Sequence, residues 1–158
     1  MRYGVIDLGS NTIRTVVYET EGKSFKKLIS ERSFTGILNY IENGRLRSDG
    51  IEAIRETVSR MAELCRLLVC AEIHAFATAS LRGVQNAGAV CEAISDTGIS
   101  VRVLTGEEEA ACDFAGLMAS GLAPDGLGFD LGGGSCQIIR YAGRELTGSV
   151  SLPVGSLA

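Results

Sequence analysis

The chain has one histidine, His74, and no Cys-x-x-Cys pair among its five cysteines, so the ligand spacings of a zinc site are missing. Cys65, Cys70, Cys91, Cys112 and Cys136 are odd in number and scattered, which fits reduced thiols in a cytoplasmic protein. Basic residues are not in excess: 15 Lys and Arg stand against 19 Asp and Glu, for a formal net charge of −4. That balance excludes a chain built to bind nucleic acid non-specifically, and it leaves room for a small anionic substrate at a locally positive site. No apolar run approaches membrane-spanning length, and no basic and apolar leader precedes the first strand-like segment, so neither a membrane nor a secretory role is expected. Proline occurs only twice. What remains is a folded globular composition, 46% apolar over 158 residues, enough for one ordinary domain or one domain plus part of a second.

The most informative stretch is Asp130-Leu131-Gly132-Gly133-Gly134-Ser135, set between two strand-like runs. Three successive glycines have no side chain to pack and lose the most entropy on ordering. They suit either a plain polar hairpin tip or a turn whose N–H groups approach an anion, phosphate above all. An aspartate at the end of the incoming strand could hold a hydrated cation beside that anion. Val5-Ile6-Asp7-Leu8-Gly9-Ser10-Asn11-Thr12 repeats the device: strand, Asp-Leu-Gly, small polar turn, strand. Two acidic, glycine-bearing hairpins fit two similar lobes that share one phosphate-binding cleft.

Residues 2–8, 12–20 and 26–34 read as a three-strand meander, with a turn at Glu21-Gly22-Lys23. Residues 36–47 read as irregular, with a turn at Asn43-Gly44. A long helix follows, with Asp49 as its N-cap, Glu52 as capping-box partner, and Ile51, Ile54, Val58, Met61, Cys65 and Leu68 on its buried face. Residues 72–78 form a strand, 83–97 a second helix, 101–104 a strand and 107–120 a third helix with Ala110, Phe114, Leu117 and Met118 inward. This alternation implies parallel strands with helices on the faces. Ala123-Pro124-Asp125-Gly126 marks a lobe boundary. A second meander follows (127–131, 136–141, 145–152), with no helix to cover it. The expected domains are therefore a first lobe over 1–122 and the opening strands of an incomplete second lobe over 123–158, within a longer protein.

Three segments could carry chemistry. In Thr105-Gly106-Glu107-Glu108-Glu109-Ala110, Thr105 as N-cap takes Glu108 as its capping-box partner, and the helix dipole favours Glu107 and Glu108. Glu109 has no such structural reason, so it is either a surface glutamate or a catalytic one. Arg82, in Thr78-Ala79-Ser80-Leu81-Arg82, follows the carboxyl end of a strand and is either solvated or a phosphate ligand. His74 reads as a satisfied core or edge histidine, and Lys26-Lys27 as a solvated strand face.

These segments together resemble the exopolyphosphatase/guanosine pentaphosphate phosphohydrolase (Ppx/GppA) family of the actin-like ATPase superfamily. The resemblance rests on residues 6–14, 77–82, 105–110 and 129–135, in order along the chain, with residues 151–156 also similar. It implies an α/β fold: an actin-like, ribonuclease H-like lobe with a mixed sheet flanked by helices, plus a second lobe, with the active site between them. It implies release of terminal phosphate from inorganic polyphosphate, or of the 5′ γ-phosphate of pppGpp, with magnesium or another divalent cation. By position, Glu109 matches the family's catalytic glutamate, which orients or deprotonates water. Asp7 and Asp130 match its metal-holding residues. Ser10, Asn11, Gly132, Gly133, Gly134 and Ser135 match its phosphate cradle, and Arg82 a phosphate-binding base. Polyphosphate or guanosine penta- or tetraphosphate would be the binding partners, and a homodimer the expected assembly of the full-length protein.

Two departures qualify the expectation. Family enzymes commonly carry glutamate two residues after the Ser of the second loop, where this chain has Gln137, so metal binding is expected to weaken. The chain is also shorter than family members, so on its own it is expected to be weak or inactive. The alternative is a sensing module that binds guanosine nucleotides or polyphosphate without turnover. A third, an actin-like kinase, shares the fold, but the Thr105-to-Ala110 match speaks against it. The exposed second meander is further expected to drive association through its strand edges.

Overall fold

The computed structural model describes residues 1–22 and 24–157. Lys23, in the expected turn at Glu21-Gly22-Lys23, lies outside the described residues. The chain divides into two compact units, Met1–Val103 and Leu104–Ala158.

The first unit opens with β1 (Arg2–Leu8), β2 (Thr12–Glu21) and β3 (Ser24–Phe34). Alternation builds them: Ile6 and Leu8 of β1, and Ile13, Thr15 and Val17 of β2, are buried, while Asp7 and Arg14 between them are exposed. The 36–47 stretch, expected to be irregular, is ordered. It makes a 3₁₀ helix over Ile37–Tyr40 and a small ladder of β4 (Ile41–Glu42) and β5 (Arg45–Leu46). Asn43 and Gly44 form its turn with φ of 51° and 73°, the positive pair that a tight hairpin requires. Buried Ile37 and Leu46 anchor this segment in the core.

Helix α1 (Ser48–Leu67) begins earlier than expected, with Arg47 as N-cap. The capping box expected from Asp49 and Glu52 does not form. The Asp49 carboxylate instead accepts from Arg47 Nε and Nη2 at 3.1 and 2.8 Å, and Glu52 pairs with Arg55. The Arg47 guanidinium holds the Asp49 carboxyl below its ordinary pKa. Ile54, Val58, Met61 and Cys65 are buried at three- and four-residue steps, as the periodicity predicts.

β6 (Glu72–Ala77) and β7 (Val101–Val103) complete a five-stranded sheet of order β3-β2-β1-β6-β7. The meander is antiparallel, and β1, β6 and β7 run parallel. The helix expected over 83–97 is present but shorter, and a further short helix precedes it: α2 (Ala79–Arg82) follows β6, then comes α3 (Ala87–Ser95). One core lies on one face of this sheet, where Ile6, Leu8, Ile13, Ala75 and Ala77 meet Ile54, Val58, Val90 and Ile94. His74 is on the opposite face, not in the core. Its side chain is 47% exposed, lies 3.2 Å from Glu72 Oε2, and stacks between Tyr3 and Phe76. Lys26 and Lys27 are exposed on β3.

The second unit contains α4 (Gly106–Ala119) and the three-stranded antiparallel sheet β10-β9-β8, formed by β8 (Gly126–Leu131), β9 (Cys136–Ala142) and β10 (Glu145–Leu152). Ala110, Phe114, Leu117 and Met118 of α4 pack on Ile139, Tyr141 and Leu146. The second meander therefore has a helix on one face, contrary to expectation. The division between units falls before α4, one helix earlier than the boundary expected at 122/123. The reason is packing: the apolar side of α4 meets the second sheet, and Gly128 admits the Leu117 side chain where a Cβ would collide with it.

Candidate functional site

In the first unit, Asp7 is exposed on β1, directly opposite Arg14 of β2 and Phe76 of β6. The chain then turns through Gly9, Ser10 and Asn11. Gly9 N–H closes the turn on the Thr12 carbonyl at 3.1 Å, and a Cβ on Gly9 would stand 2.9 Å from that oxygen. Ser10 is buried. Beside it, Ser80 of α2 donates its hydroxyl to the Leu8 carbonyl, tying the turn after β6 to the end of β1. Arg82 is half-buried in the last turn of α2, so the Asp7 hairpin and the Arg82 helix both sit at the carboxyl ends of neighbouring parallel strands. That end is where open α/β sheets bind ligands.

The second unit repeats the hairpin in the same register. Leu8 pairs with Ile13 and Asp7 with Arg14; Leu131 pairs with Cys136 and Asp130 with Gln137. Gly132 N–H closes on the Ser135 carbonyl at 2.9 Å, as Gly9 closes on Thr12. The likeness reaches further than the sequence comparison found. Beyond β3, Gly36 and Leu38 donate to the carbonyls of Asn11 and Ser10. Beyond β10, Ser156 and Leu157 donate to those of Gly132 and Gly133. Each loop is thus braced by the glycine-bearing segment that follows the third strand of its meander. Bracing occupies the loop carbonyls and leaves N–H groups over. Among the described residues, those of Ser10 and Asn11, and of Gly133, Gly134 and Ser135, donate to no backbone carbonyl. Clustered unspent donors are what an anion-binding nest consists of.

Glu109 lies in the first turn of α4, the helix that packs on the sheet carrying the second loop. The expected capping box is present: Glu108 N–H donates to Thr105 Oγ1 at 3.1 Å, and Thr105 N–H to Glu108 Oε2 at 2.9 Å. The box consumes Glu108, and Glu107 is exposed. Glu109 alone of the three is buried, at 8% exposure. A glutamate buried in the first turn is unlike a solvated surface residue, and it is placed where the helix dipole favours negative charge. Asp130 is exposed on β8. Gln137, opposite it, is fully buried and donates from Nε2 to Ser135 Oγ at 3.2 Å and Ser151 Oγ at 3.1 Å.

The expected site residues thus form two groups: Asp7, Ser10, Asn11 and Arg82 in one unit, and Glu109, Asp130 and Gly132–Ser135 in the other. The sequence assigned no bracing or anchoring role to Gly36, Gly155, Ser156 or Ser80, although 77–82 and 151–156 were among the segments that carry the resemblance. A glycine at a like interval after each third strand was the available signal.

A family model, the Ppx/GppA phosphatase family, matches residues 15–158. The chain belongs to this family. Exopolyphosphatase 1 of Mycobacterium tuberculosis is 29% identical over 163 residues, which cover 99% of this chain and 47% of that protein. The chain thus spans about half the length of the relatives it matches. Among solved structures, an exopolyphosphatase from Cytophaga hutchinsonii superposes with a TM-score of 0.89 at 24% identity, over 98% of this chain and 51% of that one. An Aquifex aeolicus Ppx/GppA enzyme does so with 0.84 at 28% identity, over 98% and 53%. MreB5 of Spiroplasma citri, at 14% identity over 98% and 52%, shares the fold with a TM-score of 0.53. The α/β architecture is that of the actin-like ATPases. No helix among the described residues is long and apolar enough to cross a membrane.

Proposed function

We propose that this Ppx/GppA chain carries the water-activating and phosphate-binding residues of a phosphoanhydride hydrolase. It releases terminal phosphate from inorganic polyphosphate, or the 5′ γ-phosphate of pppGpp. The observation that carries this reading is the duplicated braced hairpin, with N–H groups that no backbone carbonyl takes up beyond an aspartate in each copy. Terminal phosphate oxygens are charged acceptors, and such donors gain most when they meet an anion. The exopolyphosphatases of M. tuberculosis and C. hutchinsonii support the substrate class.

In this reading Glu109 orients the attacking water and takes its proton. Ser10, Asn11 and Gly132–Ser135 cradle phosphate oxygens, and Arg82 offsets charge on the leaving phosphate. Asp7 and Asp130 are the residues that would hold a magnesium ion. Among the described residues no three His, Cys, Asp or Glu side chains gather as a metal site. One or two carboxylates would suit a magnesium ion, which usually keeps several waters, rather than an all-protein cage. Bound there, the ion neutralises charge on the phosphates.

Phosphate release by the full-length protein from polyphosphate and from pppGpp tests the reading and ranks the two substrates. Glu109→Gln should lower kcat by ~10²–10⁴-fold, the range of a positioned general base, with KM little changed. Unchanged kcat removes Glu109 from the mechanism. A second reading, binding without turnover, is favoured by neutral Gln137 beside Asp130. Tight calorimetric binding of pppGpp with no phosphate released would establish it.

A further inference from the structure

Gln137 is fully enclosed in the central strand of the second unit, flanked in register by Asp130 on β8 and Ser151 on β10. Its two amide hydrogens are both placed: Nε2 donates to Ser135 Oγ at 3.2 Å and to Ser151 Oγ at 3.1 Å. A hydroxyl has one hydrogen to give and two lone pairs to receive. A Ser135 oxygen that receives from Gln137 therefore keeps its own hydrogen for another acceptor. Ser135 ends the glycine loop, next to the N–H groups of Gly133 and Gly134 that no backbone carbonyl takes up. We propose that Gln137 is a positioning residue that sets the hydrogen-bond polarity of Ser135, so that the second loop presents a full set of donors to a terminal phosphate oxygen.

The inference rests on the proposed phosphate-binding role of this loop and specifies how the loop is tuned. A carboxylate at position 137 could only accept. It would draw the Ser135 hydrogen inward, turn a lone pair toward the ligand and place negative charge near it. Gln137 does the reverse and leaves Asp130 with a neutral neighbour. The ligand class is accordingly a phosphoanhydride or phosphate terminus bound through donors of the loop itself.

Calorimetry with inorganic tripolyphosphate, in EDTA, on the full chain tests this. Gln137→Met, near-isosteric and neutral, should weaken binding about threefold by freeing the Ser135 rotor, and Gln137→Glu by about tenfold or more by reversing it. In a Ser135→Ala background, Gln137→Met should change affinity less than about twofold, since the partner it acts through is gone. Ser151→Ala removes the other tie and serves as the fold control: it should lower the thermal midpoint yet leave affinity within about twofold. Three results overturn the proposal: Gln137→Glu binding as tightly as the wild type, equal Gln137→Met losses with and without Ser135, or Ser151→Ala weakening binding as much as Gln137→Met. If the wild type itself binds no tripolyphosphate, the phosphate-site reading falls and this inference with it. If the wild type binds and the Gln137 variants match it, only this inference falls.

Discussion

Gly155 has no room for a side chain. A Cβ there would run into the Gly133 carbonyl and the Gly134 nitrogen, the backbone that is braced by the N–H groups of Ser156 and Leu157. The tail and the loop are therefore one rigid feature, and the direction of the loop donors depends on a residue far from it in sequence. Gly155→Ala must push one strand of this arrangement away. It should cost about 1–3 kcal/mol of stability, typical of overpacking against backbone. It should also weaken tripolyphosphate binding by about tenfold, as for the loss of one hydrogen bond to a charged group. Urea unfolding and calorimetry on the same variant read the two effects. Stability lost with affinity intact would show that the brace holds the fold but not the nest. Glu109 differs in kind: its burial rather than any clash marks it, and its substitution is expected to act on turnover.

At the scale of elements, α4 joins stability to the site. Its first turn is held by the Thr105–Glu108 box, and Glu109 is the next residue. Thr105→Ala should cost ~0.5–2 kcal/mol of stability and fray the turn that carries Glu109. The expected result is a lower urea midpoint together with a fall in kcat, whereas a surface cap elsewhere would move the midpoint alone. This capping box was legible in the sequence because its parts are local, three residues apart. So were the period-two strands, the α1 periodicity and both Asp-Leu-Gly turns. What was not legible depends on tertiary choice. Asp49 had the right spacing for a cap, but Arg47 captured its carboxylate, and the helix started one residue earlier than Asp49. The apolar face of α4 was read correctly, yet nothing local tells which sheet it covers, so the division between units was placed one helix late. Gln137 was noticed for its missing charge; of its two hydroxyl partners Ser135 is local, while Ser151 appears only when β9 and β10 pair.

At the scale of the whole molecule, the second sheet has unlike faces. One carries Ile139 and Tyr141 against α4. The other carries Leu127, Phe129 and Leu131 of β8, at 60, 66 and 62% exposure, beside Val150 and Leu152 of β10. These positions share a face by the two-residue period, and the registers Phe129–Ile138–Val150 and Leu131–Cys136–Leu152 place them side by side. An exposed apolar patch of this kind, flanked by the free edges of β8 and β10, drives association in water. The chain of 158 residues should therefore self-associate as its concentration rises. Phe129→Glu should suppress this by burdening the patch centre with a charge that is costly to bury. Because Phe129 points away from α4 and its core partners, the substitution should leave the unfolding free energy from urea titration within about 0.5 kcal/mol of the wild type. Light scattering across a concentration series decides the matter. A constant monomer mass for the wild type, or an unchanged slope in Phe129→Glu, would show that this face does not drive association.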